Sequence, residues 1–334
     1  MLTFVSRKED VSEKFFSIIK SEMSLIEIEF EQQASSNVQV IDYLGDYLRV
    51  SGGKRLRPAL CVLSHHCISG GKVSESLIKM ATVMEMLHTA TLVHDDIIDN
   101  AEKRRNRPSV NARFGNQTAV LMGDWLYMKA FEVSLKERNL EILDILTNVT
   151  RKMTEGELIQ LTTIGRIDIS EEEYFDILRR KTAYLFSACC EIGAILAGAD
   201  DSAKVALREY GMNLGIAFQL TDDLLDFSSS DEVLGKSAGA DLIEGKVTLP
   251  LILLLEKKPE FAEKLKIIMY DGNYDRISRE EILRELEESG AIEKARKQAN
   301  DFAEKAKKNL ELLLNSEYRS TLEAICLYMV KRIK

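Results

Sequence analysis

The chain has 334 residues, of which 45% are hydrophobic, and a net charge of −9 at neutral pH. That length fits one large domain or two ordinary ones, and the hydrophobic content is sufficient for a buried core. The negative charge argues against a nucleic-acid partner, because binding to phosphate backbones requires a basic surface.

Cysteine usage and the apolar segments indicate a cytoplasmic protein. The N-terminal residues show no basic start followed by a long apolar run, so we expect no signal peptide. The most apolar stretch, residues 249–255, is far shorter than the roughly 20 residues that span a bilayer. Free thiols are expected rather than disulfides or a zinc site, because the cysteines are odd in number and include no CxxC pair. They are Cys61, Cys67, Cys189, Cys190 and Cys326.

Helical periodicity dominates the chain. Apolar residues at spacings of three and four run from Leu77 to Ala90 behind a candidate N-cap, Ser74. Further along, Ser170 and Ser278 begin capping boxes, and residues 174–196 form a continuous helical pattern. The charged C-terminal third is read as surface helices, with a coiled coil or a basic interaction helix as the alternative. We therefore predict an all-α protein of ten or more helices that forms a single domain over residues 1–334.

Two copies of a DDxxD pattern lie in apolar, helix-like stretches. On a helix, residues one and four positions after the first aspartate project to a similar side, so each copy forms a cluster of three carboxylates. Carboxylates held this close repel one another and need cations, and oxygen ligands suit Mg²⁺. The six aspartates are Asp95, Asp96, Asp99, Asp222, Asp223 and Asp226.

Basic residues accompany these acidic motifs. The sequence GGKRLRP places Lys54, Arg55 and Arg57 behind a pair of glycines, and a second basic run, residues 103–107, follows the first acidic motif. Lysine and arginine at these places suit a diphosphate, although each run alone is also typical of a solvated charge cluster. His88, two helical turns before Asp95, is either a phosphate ligand or a buried structural histidine. The chain contains no HExxH, Walker A or GxGxxG motif.

In combination these features resemble the trans-polyprenyl diphosphate synthases. The resemblance rests on both DDxxD motifs, on GGKRLRP and on LGKSAGADLIEGKVTLP at 234–250, and it extends over nearly the whole chain. It implies an isoprenoid synthase-type helical bundle whose central cavity is lined by both acidic motifs. One departure is the sequence RRNRPS at 104–109, where the family usually has RRGxPT, so the detail of that loop is in question.

The resemblance also implies roles for individual residues. Isopentenyl diphosphate would be held by Lys54, Arg57, His88 and Arg105. The allylic diphosphate would be held by Arg104, Lys181, Thr182, Gln219, Lys236 and Lys246. Catalysis would depend on the six aspartates together with Lys181 and Lys236. Asp95, Asp99 and Asp222 would ligate Mg²⁺, about three ions per active site, and the other aspartates would act through water or hydrogen bonds.

The implied reaction is prenyl transfer, in which an allylic diphosphate ionises and alkylates isopentenyl diphosphate. In the family, a large residue one turn before the first DDxxD motif stops chain growth, and here Ala90 and Thr91 are small. Leu87 or Phe131 would then form the floor of the tunnel. We expect a product of about six to ten isoprene units, by analogy within the family. The same analogy implies a homodimer with weak peripheral membrane association.

Four alternatives remain open at this level. A farnesyl or geranylgeranyl diphosphate synthase would share every motif and differ only in product length. A class I terpene cyclase or a head-to-head synthase would share the acidic clusters but not the second diphosphate site. A non-catalytic subunit usually lacks aspartates that are intact here. A calcium-binding structural protein leaves the basic motifs unexplained.

Overall fold

The computed structural model describes residues 15–50, 52–105, 107–228 and 239–331, and these are almost entirely helical. The only strands within these ranges are β1 (Lys103–Arg104) and β2 (Arg107–Pro108). They pair antiparallel, with Lys103 opposite Pro108 and Arg104 opposite Arg107. The prediction of an all-α protein with more than ten helices is confirmed.

The helices follow one another with short connections. The first six are α1 (Lys20–Ala34), α2 (Gln39–Val50), α3 (Leu56–Ser69), α4 (Glu75–Ile98), α5 (Val110–Phe114) and α6 (Asn116–Lys136). The next four are α7 (Leu140–Thr163), α8 (Glu171–Leu178), α9 (Tyr184–Leu196) and α10 (Asp201–Ser228). The last six are α11 (Ala240–Ile243), α12 (Leu249–Lys257), α13 (Ala262–Asp271), α14 (Arg279–Glu288), α15 (Ala291–Asn309) and α16 (Glu317–Lys331).

The chain divides into two compact units, each built from three segments of sequence. The first unit comprises Met1–Leu143, Cys189–Asp201 and Leu313–Ile325. The second comprises Asp144–Ala188, Ser202–Leu312 and Cys326–Lys334. The expectation of one domain stays a prediction, and each unit is described separately below.

In the first unit, α4 is the central helix and carries the first acidic motif at its C-terminal end. The Ser74 hydroxyl accepts a hydrogen bond from the Leu77 N–H at 3.1 Å, which confirms the predicted N-cap. From Leu77 to Ala90 almost every side chain is buried, because α2, α3 and α6 belong to the same unit and α4 packs against α1, α3 and α6. Gly123 on α6 allows the closest approach, since an added Cβ there would lie 2.2 Å from the His94 ring.

In the second unit, α12, α14 and α15 pack together around α12, which is apolar on all sides. Alanines at every fourth position of α15, from Ala291 to Ala303, are buried and allow its backbone to approach α12. The charged side chains of α15 lie on its other faces, so the prediction of a surface helix is confirmed. Among the described residues, no helix is long and apolar enough to span a bilayer.

The predicted continuous helix over residues 174–196 is interrupted in its hydrogen bonding but not in its path. A capping box at Ser170 starts α8, as predicted, with Glu173 as its partner. Between α8 and α9, residues Arg179–Ala183 form a π-helical turn. Such turns are rare and are frequently found at functional sites.

Candidate active site

The first acidic motif is formed where α4 ends against the β1–β2 hairpin. Asp96 is buried and forms a two-point ion pair with Arg104 of the hairpin, with N–O distances of 2.6 to 2.9 Å. Asn111 donates to the main-chain carbonyl oxygen of Asp96 at 3.1 Å. Asp99 caps the helix and is exposed, whereas Asp95 lies near Tyr127. Burial, together with the charge of Asp95, raises the pKa of Tyr127.

A basic cluster of Lys54, Arg57, His88 and Arg105 lies in the same unit. Arg57 Nη1 is 2.8 Å from His88 Nε2. A guanidinium group can only donate, so His88 Nε2 accepts and the proton of the neutral imidazole resides on Nδ1. Burial, and then the charges of Arg57 and Arg105, hold the pKa of His88 well below its ordinary value. His88 is therefore neutral near pH 7.

Arg105 reaches this cluster by turning back over the glycine pair. Its backbone adopts the left-handed conformation, with φ of 51°. Its guanidinium group lies against Gly53, where an added Cβ would be 2.6 Å from Nη1. The residues assigned by resemblance to isopentenyl diphosphate are thus brought together, although their role stays a prediction. Asn106, which raised the question about this loop, lies outside the described residues.

Arg55, the middle cation of GGKRLRP, has a different place. It donates to Glu27 Oε1 at 2.6 Å and to Glu85 Oε1 at 2.7 Å, and it lies over the Phe30 ring. These bonds raise the pKa of Arg55 against the opposing effect of burial. Arg55 therefore fastens the start of α3 to α1 and α4.

The second acidic motif, on α10, is part of a chain of side-chain hydrogen bonds within the second unit. The Tyr174 hydroxyl donates to Asp223 Oδ2 at 2.5 Å, and Gln219 Nε2 donates to Asp223 Oδ1 at 2.9 Å. Thr182 in turn donates to Gln219 Oε1 at 2.8 Å. This arrangement fixes the orientation of the Gln219 amide. Thr182 and Gln219, predicted to bind the allylic diphosphate, are therefore linked to the second DDxxD motif.

Negative charge is concentrated at this motif. Burial, with Asp241 and Asp222 nearby, raises the pKa of Asp223 far above its ordinary value. The Asp241 N–H donates to Asp226 Oδ2 at 3.3 Å. Asp223 and Asp226 are buried, whereas Asp222 is partly exposed. These contacts support the division between direct ligands and aspartates that act through hydrogen bonds, a division that stays a prediction.

The donor set fits divalent cations. Each motif offers carboxylate oxygens, which suit Mg²⁺, an ion that commonly completes its shell with water and phosphate oxygens. The repulsion felt by Asp223 is the kind that a cation relieves. Within the ranges that the structure describes, no three His, Cys, Asp or Glu side chains form a group that could hold a metal ion.

The predicted lysines have three different outcomes. Lys181 lies on the π-helical turn and pairs with Glu157, with Nζ 2.5 Å from Oε2. Lys246 pairs with Glu244 at 2.7 Å. Lys236 lies outside the described residues.

The residues proposed to set product length lie on α4 and α6. Ala90 and Leu87 are completely buried, as is Met84 one turn before Leu87. Thr91 and Phe131 are partly buried, and the Thr91 hydroxyl donates to the His88 carbonyl oxygen at 2.7 Å. A growing chain that passes Ala90 must therefore displace packed side chains.

Sequence reasoning missed three residues of this site: Tyr174, Glu157 and Asp241. Tyr174 lies seven residues before Lys181 on the same helical run, a spacing that places the two on a similar face. Asp241 lies within the quoted segment 234–250 and could have been read as a further carboxylate. Glu157 gave no signal, since it sits in an ordinary amphipathic helix.

Comparison with known proteins gives one consistent result. A family model described as polyprenyl synthetase matches residues 38–286. The octaprenyl diphosphate synthase of Escherichia coli K12 is 36% identical over 96% of this chain and 98% of its own length. The geranylgeranyl diphosphate synthase of Methanosarcina mazei is 37% identical over 86% of this chain and 88% of its own length. The crystal structure of a polyprenyl synthase from Caulobacter crescentus CB15, complexed with calcium and isoprenyl diphosphate, has a TM-score of 0.90 and 34% identity. It covers 98% of this chain and 100% of that one.

Proposed function

Because the chain belongs to the polyprenyl synthetase family, we propose that it adds isopentenyl diphosphate units to an allylic diphosphate primer and releases diphosphate. The product is an all-trans polyprenyl diphosphate of about six to ten isoprene units. The substrates are a geranyl or farnesyl diphosphate primer and isopentenyl diphosphate. The protein acts as a homodimer in the cytoplasm, with weak peripheral membrane association.

One observation carries this proposal: two consecutive arginines serve two different clusters. Arg104 is paired with Asp96 of the acidic motif, whereas Arg105 lies over Gly53 in the basic cluster. A carboxylate cluster suits a diphosphate that arrives with cations, and a cluster of cations suits one that arrives without them. The first unit therefore carries binding chemistry for two differently bound diphosphates. A two-substrate condensation requires this, and a cyclase with one diphosphate substrate does not.

The basic cluster holds isopentenyl diphosphate. Lys54, Arg57 and Arg105 contact its phosphate oxygens, and His88 keeps the Arg57 guanidinium in place by accepting one of its N–H bonds. Neutral His88 also retains an Nδ1–H that can donate to the ligand. This arrangement fixes the homoallylic double bond relative to the primer, which lowers the entropic part of the barrier.

The allylic diphosphate is held by Arg104, Lys181, Gln219 and Lys246, with Thr182 acting through Gln219. Lys236 belongs to the same group. Mg²⁺ bound by Asp95, Asp99 and Asp222, about three ions per site, would neutralise negative charge on the leaving diphosphate. Arginine and lysine donors do the same from the protein side, and their effect is largest where charge develops as the bond breaks.

The bond changes balance as follows. The C1–O bond of the allylic diphosphate breaks, and both electrons leave with the diphosphate. The double bond of isopentenyl diphosphate supplies the electron pair for the new C–C bond. The resulting cation loses a proton from the adjacent carbon to the released diphosphate, and a trans double bond forms. Apolar side chains around the primer exclude water, which would otherwise capture the cation.

A shorter product is a second candidate, and a specific observation favours it. Ala90, Leu87 and Met84 leave no accessible surface, or almost none, along α4 below the motif. A chain that cannot displace them would stop at three or four units, about the length of a geranylgeranyl group.

The two-diphosphate proposal predicts selective kinetic effects. Arg105→Ala should raise the KM for isopentenyl diphosphate about tenfold or more and leave the KM for farnesyl diphosphate nearly unchanged. Arg104→Ala should show the opposite selectivity. Equal effects of both variants on both substrates would contradict the assignment of separate clusters.

A further inference from the structure

The π-helical turn at Arg179–Ala183 gives Lys181 an unusual backbone setting. The Tyr184 N–H donates to the Arg179 carbonyl oxygen, a bond to the fifth preceding residue rather than the fourth. The wider turn changes the direction of the side chains within it relative to those of α8 and α9. Lys181 and Thr182, both expected at the allylic diphosphate, lie within this turn.

Three consecutive residues of α7 hold the turn from one side. Gly156 brings the backbone of α7 close, since an added Cβ would lie 2.6 Å from Arg180 Cβ and 3.1 Å from Lys181 Cγ. Glu155 pairs with Arg180. Glu157 pairs with Lys181, with Nζ 2.5 Å from Oε2. The Lys181 and Glu157 side chains are only 25% and 16% exposed.

The Glu157 contact restricts the Lys181 side chain without using up its donors. Lysine has a long flexible side chain, and a single ammonium group has three N–H donors. A bond to Glu157 uses one of them and leaves two for a ligand. The charge-assisted bond is also a strong one, because water is largely excluded from the pair.

We propose that Glu157 is a positioning residue for prenyl transfer. It holds the Lys181 ammonium group at one location, so that the two remaining N–H donors are presented to the allylic diphosphate. The inference rests on the proposed function, specifically on the binding of the allylic diphosphate by Lys181. Glu157 itself does not contact the substrate in this scheme, and its entire effect passes through Lys181.

Steady-state kinetics of the full chain tests the proposal, with farnesyl diphosphate and isopentenyl diphosphate varied separately. Glu157→Ala should raise the KM for farnesyl diphosphate about tenfold, while the KM for isopentenyl diphosphate changes less than about twofold. Glu157→Gln keeps an oxygen acceptor at the same distance and should stay within about threefold of the native KM. A pair that served only folding would not show this selectivity between substrates.

A double-mutant cycle shows whether the effect passes through Lys181. In a Lys181→Ala background, Glu157→Ala should cause no further rise in the KM for farnesyl diphosphate. A further rise as large as that seen in the native background would overturn the proposal. If Lys181→Ala alone leaves that KM unchanged, the proposed role of Lys181 is wrong. If it raises the KM and Glu157→Ala does not, only the positioning role is wrong.

A matched pair elsewhere in the same unit provides the control. Lys258 and Glu285 are also 2.5 Å apart, with side chains 33% and 15% exposed, and neither has a predicted role in substrate binding. Glu285→Ala should lower the melting temperature about as much as Glu157→Ala but leave both KM values unchanged. If Glu157→Ala does not fold, Glu157→Asp replaces it. Its shorter side chain should draw Lys181 away and raise the KM for farnesyl diphosphate, and a native KM would overturn the proposal.

Discussion

Replacing His88 by alanine tests the basic cluster at its most buried contact. In the native chain His88 Nε2 accepts a hydrogen bond from Arg57 at 2.8 Å. The alanine variant leaves the Arg57 guanidinium without this acceptor and free to take other rotamers. A hydrogen bond to a charged group contributes about 1.5–3 kcal/mol, which corresponds to roughly a tenfold to hundredfold change in affinity.

The assay is the KM for isopentenyl diphosphate at saturating farnesyl diphosphate. We expect His88→Ala to raise this KM at least about tenfold and to change the KM for farnesyl diphosphate less than about twofold. His88→Gln should recover most of the affinity, because its amide oxygen can accept from Arg57 and its amide nitrogen can donate. An unchanged KM for isopentenyl diphosphate in the alanine variant would refute the role of the Arg57–His88 pair.

The pH dependence of stability provides a second readout for His88. Its pKa is lowered in the folded chain, so on unfolding it takes up a proton at any pH below its ordinary value of 6.5. The unfolded chain then binds more protons than the folded chain, and stability falls as the pH decreases from about 6.5. His88→Gln should remove this part of the decrease in urea-unfolding experiments. A variant with the same acid sensitivity as the native chain would contradict the neutral assignment.

Three further changes have distinct expected outcomes. Ala90→Phe should shorten the product to about three or four units and, because the site is fully buried, lower stability by about 1–3 kcal/mol; an unchanged product on reversed-phase chromatography would rule out the gate. Tyr174→Phe removes the donor to Asp223 and should raise the KM for farnesyl diphosphate severalfold without affecting the KM for isopentenyl diphosphate. Glu22→Ala breaks a buried ion pair with His66 and should reduce the free energy of unfolding by about 3 kcal/mol, with both KM values intact.

The fold class and the acidic motifs could be predicted because they depend on local periodicity. The apolar spacing from Leu77 to Ala90 determines which face of α4 is buried, and Ser74 starts that helix through a bond to a residue three positions away. The capping box at Ser170 is equally local. Each of these features is complete within a few residues of sequence, so no tertiary information was required.

Contacts between distant residues could not be predicted in this way. Tyr174 and Asp223 are 49 residues apart, and no spacing rule joins them. Arg55 looked equivalent to Arg57 within GGKRLRP, yet its two carboxylate partners on α1 and α4 hold it in a structural role. The π-helical turn likewise has no signature in the sequence Arg179–Ala183, because it depends on how α7 packs against it.

Product length from the purified chain tests the central claim most directly. The chain is supplied with farnesyl diphosphate, labelled isopentenyl diphosphate and Mg²⁺, and the products are dephosphorylated and separated by reversed-phase chromatography. The account predicts a ladder that ends at about six to ten isoprene units. Arrest at three or four units would preserve the reaction and refute the proposed product length. Absence of any elongation, with either farnesyl or geranyl diphosphate as primer, would contradict the claim that this chain alone is a prenyl-elongating enzyme.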